Sequence, residues 1–202
     1  MNLIEVAPGV WAVAHHGTGL RSADPRDVGA SAGMPGWRAE EFLAGRALLR
    51  RLLAAVLPSA AGAAVVPGPN GKPVLAGWEW VGINVAHDNG HYAACAAPGH
   101  AVGVDVQTPP GELDDALLRR CVRPPYTADL ASLEPPDRAR EFAWVWTVQE
   151  ACVKAASTGL AGSPWSIDVP PRSRTGTWRA FRWRSLREQS GTPLSCAWKE
   201  LP

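Results

Sequence analysis

Apolar residues alternate with their neighbours around Val10-Trp11-Ala12-Val13-Ala14, and this two-residue period predicts a strand near the start of the chain. The segment from Gly17 to Gly36 is rich in Gly, Pro and Asp and predicts a loop. From Trp37 to about Leu57 the period lengthens. Phe42, Leu43, Leu49, Leu52, Leu53 and Val56 recur at helical spacing, Arg38, Arg46 and Arg50 fall on other faces, and Pro58 ends the helix. Next come the Val65-Val66 run and a turn region from Pro67 to Pro73 that contains Asn70-Gly71. Two apolar runs follow, Gly82 to Val85 and Tyr92 to Ala96, joined through His87-Asp88-Asn89-Gly90-His91. Asn-Gly between apolar runs is a hairpin signal, because both turn residues must tolerate positive φ.

After Pro98-Gly99 the order of elements begins again. A strand from Ala101 to Val106 precedes a short helix, Leu113 to Cys121, and a long one, Arg138 to about Ser157. Strands are predicted near Ser166–Val169, Trp178–Trp183 and Leu194–Trp198. The two long helices lie about 100 residues apart, each a similar distance after a strand. This order predicts an α+β fold built from a duplicated unit, with an N-terminal half at 1–99 and a C-terminal half at 100–202.

A chain of 202 residues, 46% of them apolar, can bury one large core or two small ones. It contains no run of about 18 apolar residues, and its first residues lack the basic and apolar regions of a secretory leader, so the expectation is a cytoplasmic protein with no membrane span. Cys95, Cys121, Cys152 and Cys196 are widely spaced, which suits reduced core thiols better than bridges or zinc ligands. A net charge of +1 argues against a general nucleic-acid binder, despite six arginines between Arg172 and Arg187.

Four short segments carry candidate chemistry. In Val102-Gly-Val-Asp-Val-Gln107, Asp105 and Gln107 are two apart on a strand and share a face, so their oxygens could share one ligand; taken alone, Asp105 could equally cap the loop that follows. In Phe142 to Lys154, Glu150 and Lys154 stand one helical turn apart, either as a surface ion pair or, on a helix this apolar, as part of a site. Asn70-Gly71-Lys72-Pro73 offers a close backbone approach and a positive charge for an anion, or an ordinary turn. Asn84-Val85-Ala86-His87 ends a strand with an imidazole beside the hairpin.

In order and spacing, these segments resemble the 4′-phosphopantetheinyl transferase superfamily, specifically its larger two-half, surfactin-synthetase-activating type. The correspondence runs from about Arg38 to Leu160. Family members show G-K-P, N-x-S-H, (V/I)-G-(V/I)-D-(V/I)-E and W-x-x-K-E-x-x-x-K ending in G-L. This chain has Gly71-Lys72-Pro73, Asn84-Val85-Ala86-His87, Val102 to Gln107, and Trp146 to Lys154 followed by Gly159-Leu160.

The resemblance implies a pseudo-two-fold duplicated fold with coenzyme A in the cleft between the halves. It also implies transfer of the 4′-phosphopantetheine group to a serine of an acyl- or peptidyl-carrier protein, with Mg²⁺ as cofactor and a monomer as the working unit. By position, Asp105, Gln107 and Glu150 would hold the metal, and Glu150, Asp105, Lys154 and His87 would be catalytic. Arg38, Arg46, Asn70, Gly71, Lys72, Asn84, Ala86, His87 and Lys154 would bind coenzyme A. Leu113, Leu117, Leu118, Arg120 and Val122 are expected to meet the carrier, since carriers are usually acidic and an apolar patch with arginines complements them. Gln107 replaces the usual glutamate, Ala86 the usual serine and Gln149 a common lysine, which implies weaker metal and coenzyme binding. Tyr126 falls near the place of a glutamate sometimes assigned as base, leaving Glu150 as the candidate. The alternatives are a degenerate coenzyme A or carrier binder without turnover, and a metal-independent acyl-coenzyme A transferase.

Overall fold

The computed structural model describes residues 2–202. Strands β1 (Asn2–Ala7) and β2 (Val10–His16) form an opening hairpin, followed by helices α1 (Pro25–Ala30) and α2 (Gly36–Val56). A small ribbon of β3 (Val65–Pro67) and β4 (Pro73–Leu75) precedes β5 (Val81–Asp88) and β6 (His91–Pro98). The later part contains β7 (His100–Val106), α3 (Asp115–Cys121), α4 (Tyr126–Ala131) and α5 (Pro135–Ala155). It closes with β8 (Thr175–Trp178), β9 (Phe181–Ser185) and β10 (Leu194–Glu200).

The eight longer-range strands make two antiparallel sheets, ordered β1-β2-β6-β5 and β7-β10-β9-β8. In both, the strand before the helices pairs with the last strand, which pairs with the one before it. Three cores hold the layers together. Leu48, Leu49, Leu52 and Leu53 of α2 pack on Val13, Ile83, Ala94 and Ala96 of the first sheet. Val145, Val148, Cys152 and Val153 of α5 pack on Trp183 and Ala197 of the second. Between the sheets lies a core drawn from both, with Ala12, Ala93 and Cys95 facing Val102, Val104 and Cys196. All four cysteines are buried and reduced, as their spacing predicts.

At one edge, β5 runs beside β7 and the buried Asn84 bridges them, its Oδ1 accepting the Val104 N–H at 3.0 Å. The β5–β6 turn has Asn89 and Gly90 both at positive φ, 46° and 75°, the geometry that Asn-Gly foretells. Gly103 allows a different kind of approach. A Cβ built there would lie 2.2 Å from the Ala151 carbonyl oxygen and 2.4 Å from the Ala155 nitrogen, so only glycine lets α5 sit this close to β7.

Some expectations need correction. The first strand, β1, lacks a long enough alternation to be seen before its partner β2. The Gly17–Gly36 loop contains α1, whose buried Asp27 accepts from Ser22 Oγ (2.6 Å), Arg50 Nε (2.6 Å) and Arg50 Nη2 (3.1 Å), fixing the segment against α2. Ser166–Val169 is no strand: a 3₁₀ turn at Pro164–Ser166 leads into irregular chain that buries Ile167 and Val169 without strand pairing. Trp178–Trp183 is a hairpin rather than one strand, turning at Arg179, which has φ 52°. No helix among the described residues is long and apolar enough to cross a membrane.

Replacing Gly103 by alanine is expected to destabilise the protein by about 1–3 kcal/mol, since the added methyl meets backbone atoms that cannot rotate aside. Urea denaturation followed by circular dichroism measures this. An unchanged midpoint would mean that α5 can lift from β7 without cost.

Candidate functional site

Alternation along β7 decides which side chains reach the site. Val102, Val104 and Val106 enter the core between the sheets, so Gly103, Asp105 and Gln107 face the other way, toward α5. The glycine that admits the helix therefore lies two residues before the carboxylate that meets it. Asp105 is only 6% exposed, and Lys154 Nζ donates to its Oδ1 at 2.5 Å. Glu150 stands one turn earlier on the same face of α5, with its Oε1 buried and lacking any hydrogen-bond partner. The structure thus brings Asp105, Glu150 and Lys154 together.

Electrostatics show a site short of positive charge. Burial pushes the Asp105 carboxyl up from its ordinary range; Lys154 pulls it back, and Asp88 adds to the rise. Glu150 is likewise raised by burial, opposed by Lys154 and pushed further by Asp105. Asp88, at the end of β5, was not singled out from the sequence. Its Oδ2 accepts the Thr108 N–H at 2.6 Å and Gln107 Nε2 at 3.1 Å. The only sequence signal was an acid directly after His87 in the hairpin turn.

His87 itself is exposed, 3.5 Å from Glu41, and borders a cavity of about 550 Å³. Trp37, Arg38, Arg46, Gly71 and Pro73 also line that cavity. Arg46 lies over the Phe42 ring at 4.8 Å, and its buried Nη1 has no partner. Burial lowers its pKa, while Asp27 opposes the shift. Trp37 is 65% exposed, a large aromatic at the cavity mouth that lies off the apolar stripe of α2 and so escaped notice in the sequence. A larger cleft of about 740 Å³ lies near the β1–β2 turn, but the guanidiniums around it are engaged: Arg174 with Glu188, Arg184 with the Val6 carbonyl and Arg187 with Glu141.

Several expected site residues do other work. Asn84 is buried as the bridge between β5 and β7, and the Ala86 side chain faces the core between the sheets. Lys72 Nζ donates to the Ala155 carbonyl at 3.0 Å, and Asn70 Nδ2 to the Ser157 carbonyl at 2.8 Å, so this turn fastens onto the C-terminal end of α5. Burial lowers the Lys72 pKa. Gln149 is fully buried, and its Nε2 donates to the carbonyls of Cys121 (2.7 Å) and Ile167 (2.8 Å). Its amide ties α3 and the 3₁₀ turn to α5. Tyr126 packs against the core around α5.

Of the expected carrier contacts, Leu118 and Val122 are buried in the core around α5 and unavailable to a partner. Leu113 is partly buried against that core, and Arg120 lies over the Trp165 ring at 4.3 Å. Leu117 remains exposed at 41%.

Among the described residues, no three His, Cys, Asp or Glu side chains gather into a complete metal cage. A pair of carboxylates still fits a magnesium-like ion, which keeps waters and takes oxygens from a phosphate ligand. The orphaned Glu150 Oε1 is the observation that favours this fit, because a buried carboxylate oxygen without a partner is costly unless a cation meets it.

Glu150→Gln is accordingly expected to raise thermal stability at pH 7.5 when metal is chelated. A carboxyl with a raised folded pKa binds its proton more tightly in the folded state, so its contribution falls as pH rises from the unfolded value of 4.5 through the folded one. The advantage of the variant should shrink as pH falls toward 4.5, where wild-type Glu150 carries its proton. A lower melting temperature for the variant at both pH values would contradict this.

Residues 101–199, spanning β7, α5 and nearly all of β10, match the family model described as the 4′-phosphopantetheinyl transferase superfamily. The chain is 27% identical over 92 residues to a 4′-phosphopantetheinyl transferase of Bacillus subtilis, covering 45% of this chain and 40% of that protein. It is 34% identical over 100 residues to a Synechocystis protein named as a candidate 4′-phosphopantetheinyl transferase, covering 47% of this chain and 40% of that one. The chain thus spans about two fifths of the length of the curated relatives it matches. The stretch that carries Asp105, Glu150 and Lys154 is the stretch that matches the 4′-phosphopantetheinyl transferase superfamily.

Proposed function

We propose that this protein transfers the 4′-phosphopantetheine group of coenzyme A to a serine of an acyl- or peptidyl-carrier protein, with Mg²⁺ as cofactor. The orphaned, buried carboxylate oxygen of Glu150 beside Asp105, within a segment that matches the transferase family, carries this reading. The shared strand connectivity of the two sheets supports a duplicated, pseudo-two-fold α+β fold, with halves at 1–99 and 100–202 that form both walls of the coenzyme cleft within one monomer.

The cavity bordered by Trp37, Arg38, Arg46 and His87 would take the nucleotide end of coenzyme A. Arg46 Nη1, buried and unpaired, is suited to a phosphate oxygen. His87 precedes Asp88, which accepts from Gln107 Nε2, and Gln107 lies two residues beyond Asp105, so the cavity and the acidic pair are neighbours in the fold. Asp105, Glu150 and the Gln107 amide would hold Mg²⁺, which when bound neutralises charge on the pyrophosphate.

In the reaction, the carrier serine oxygen bonds to the phosphorus bearing the pantetheine arm. The bond from that phosphorus to the bridging oxygen breaks, and adenosine 3′,5′-bisphosphate leaves with the electron pair. Glu150 would accept the serine proton, a role its raised affinity for protons suits. Lys154 and His87 would donate to phosphate oxygens as negative charge develops. For the carrier, exposed Leu117 with Arg119 and Arg123, on and just beyond α3, offers an apolar and basic surface.

Incubation with coenzyme A, Mg²⁺ and a panel of apo carrier proteins should add the mass of one phosphopantetheine arm to at least one carrier, seen by intact mass spectrometry. Asp105→Ala should slow this by about 100-fold or more, the scale on which loss of one transition-state-stabilising group acts. Binding of coenzyme A without mass gain on any carrier would instead favour a binder without turnover. Acyl transfer that survives a chelator would favour the metal-independent transferase.

A further inference from the structure

Gln107 takes the place where a carboxylate would bring a second negative charge to the β7 face that carries Asp105. Its amide is not free to turn. Nε2 donates to Asp88 Oδ2 at 3.1 Å and to the Thr108 carbonyl at 3.2 Å. Both partners only accept, so reversing the amide would set its oxygen against two oxygens. The NH₂ end is therefore committed, and the carbonyl oxygen is the end left for another ligand. Asp88 is held in turn by the Thr108 N–H at 2.6 Å. It comes from the end of β5, whereas Asp105 and Gln107 belong to β7 and its continuation. Its charge is felt at Asp105, whose carboxyl it helps to hold above the ordinary range.

Resting on the reading of Asp105 and Glu150 as the cation pair, we propose that Asp88 is a positioning residue for that site. It supplies from the β5 strand the negative charge that Gln107 lacks, and it locks the Gln107 amide with its carbonyl oxygen available to the cation. A residue hydrogen-bonded to a neutral ligand in this way fixes the ligand's orientation and raises its basicity. The net charge around the cation then matches that of a site with three carboxylates, although one of them acts through the amide.

The test uses Mn²⁺ as the probe, titrated into the full chain with coenzyme A and no carrier. Free Mn²⁺ is read by electron paramagnetic resonance, so turnover is not needed. Asp88→Asn keeps an oxygen for the Thr108 N–H and removes the charge. It should weaken Mn²⁺ binding by about 10-fold, with the melting temperature and the metal-free affinity for coenzyme A unchanged. Adding Gln107→Glu to that variant should restore Mn²⁺ affinity to within a few-fold of wild type. Equal Mn²⁺ affinity in wild type and Asp88→Asn overturns the proposal and leaves the cation site standing, as does a double variant no better than Asp88→Asn alone. Failure of the wild type to bind Mn²⁺ with coenzyme A present sinks the cation site and this proposal together.

Discussion

Everything at the site depends on how closely α5 lies against β7. The absence of a side chain at Gly103 permits that approach, since the backbone of Ala151 and Ala155 fills the space a Cβ would need. Alternation then places Asp105 on the same face, two residues on, and the helical period places Glu150 and Lys154 over it. Thr147 Oγ1 and Ser195 Oγ, 2.8 Å apart, and the buried Gln149 amide fix the helix on the sheet and against its neighbouring turns.

This packing creates an imbalance that packing alone does not explain. Two carboxylates, Asp105 and Glu150, share a largely buried space with one lysine, and one carboxylate oxygen has no partner. A fold selected only for stability would replace one acid with an amide or an apolar group of similar size, since half-satisfied buried charge is worse than none. Elsewhere the same chain does satisfy its buried acids: Asp27 has Ser22 and Arg50, and Glu141 has Arg187 and the Arg172 N–H. The contrast singles out the α5–β7 contact as the place where, among the described residues, a buried carboxylate oxygen stays without a partner.

Much of this was legible in the sequence, and for physical reasons. Strict alternation in Val102-Gly-Val-Asp-Val-Gln107 fixed which residues share a face, and the four-residue step from Glu150 to Lys154 fixed another. Periodicity gave both long helices, and Asn89-Gly90 gave the hairpin, because these signals are local. What was missed depends on distant chain. Strand β1 exists because β2 offers a partner, α1 because Arg50 reaches Asp27, and Ile167 and Val169 are buried by the helix above them rather than by strand pairing. The Asn70-Gly71-Lys72 turn is compatible with anion binding from sequence alone, whereas its donation to the carbonyls of Ala155 and Ser157, at and just beyond the end of α5, depends on the fold. Asp88 carries no pattern of its own; only the fold of β5 beside β7 sets it against Gln107.

The three departures from the family motifs take on different meanings once each side chain is assigned to a layer. Position 86 points into the core between the sheets, where Ala86 packs among Val6, Ala93 and Val104, so a methyl group there costs the cavity nothing. Position 149 is fully buried beside α3, and a lysine there would have to bury its ammonium between the carbonyls of Cys121 and Ile167; an amide meets both with one NH₂ and no charge. Only position 107 lies two residues from Asp105, on the face that carries it. Two of the three side chains are therefore packed inside the protein, away from Asp105 and Glu150. The Gln107 amide is already paired with the Asp88 carboxylate.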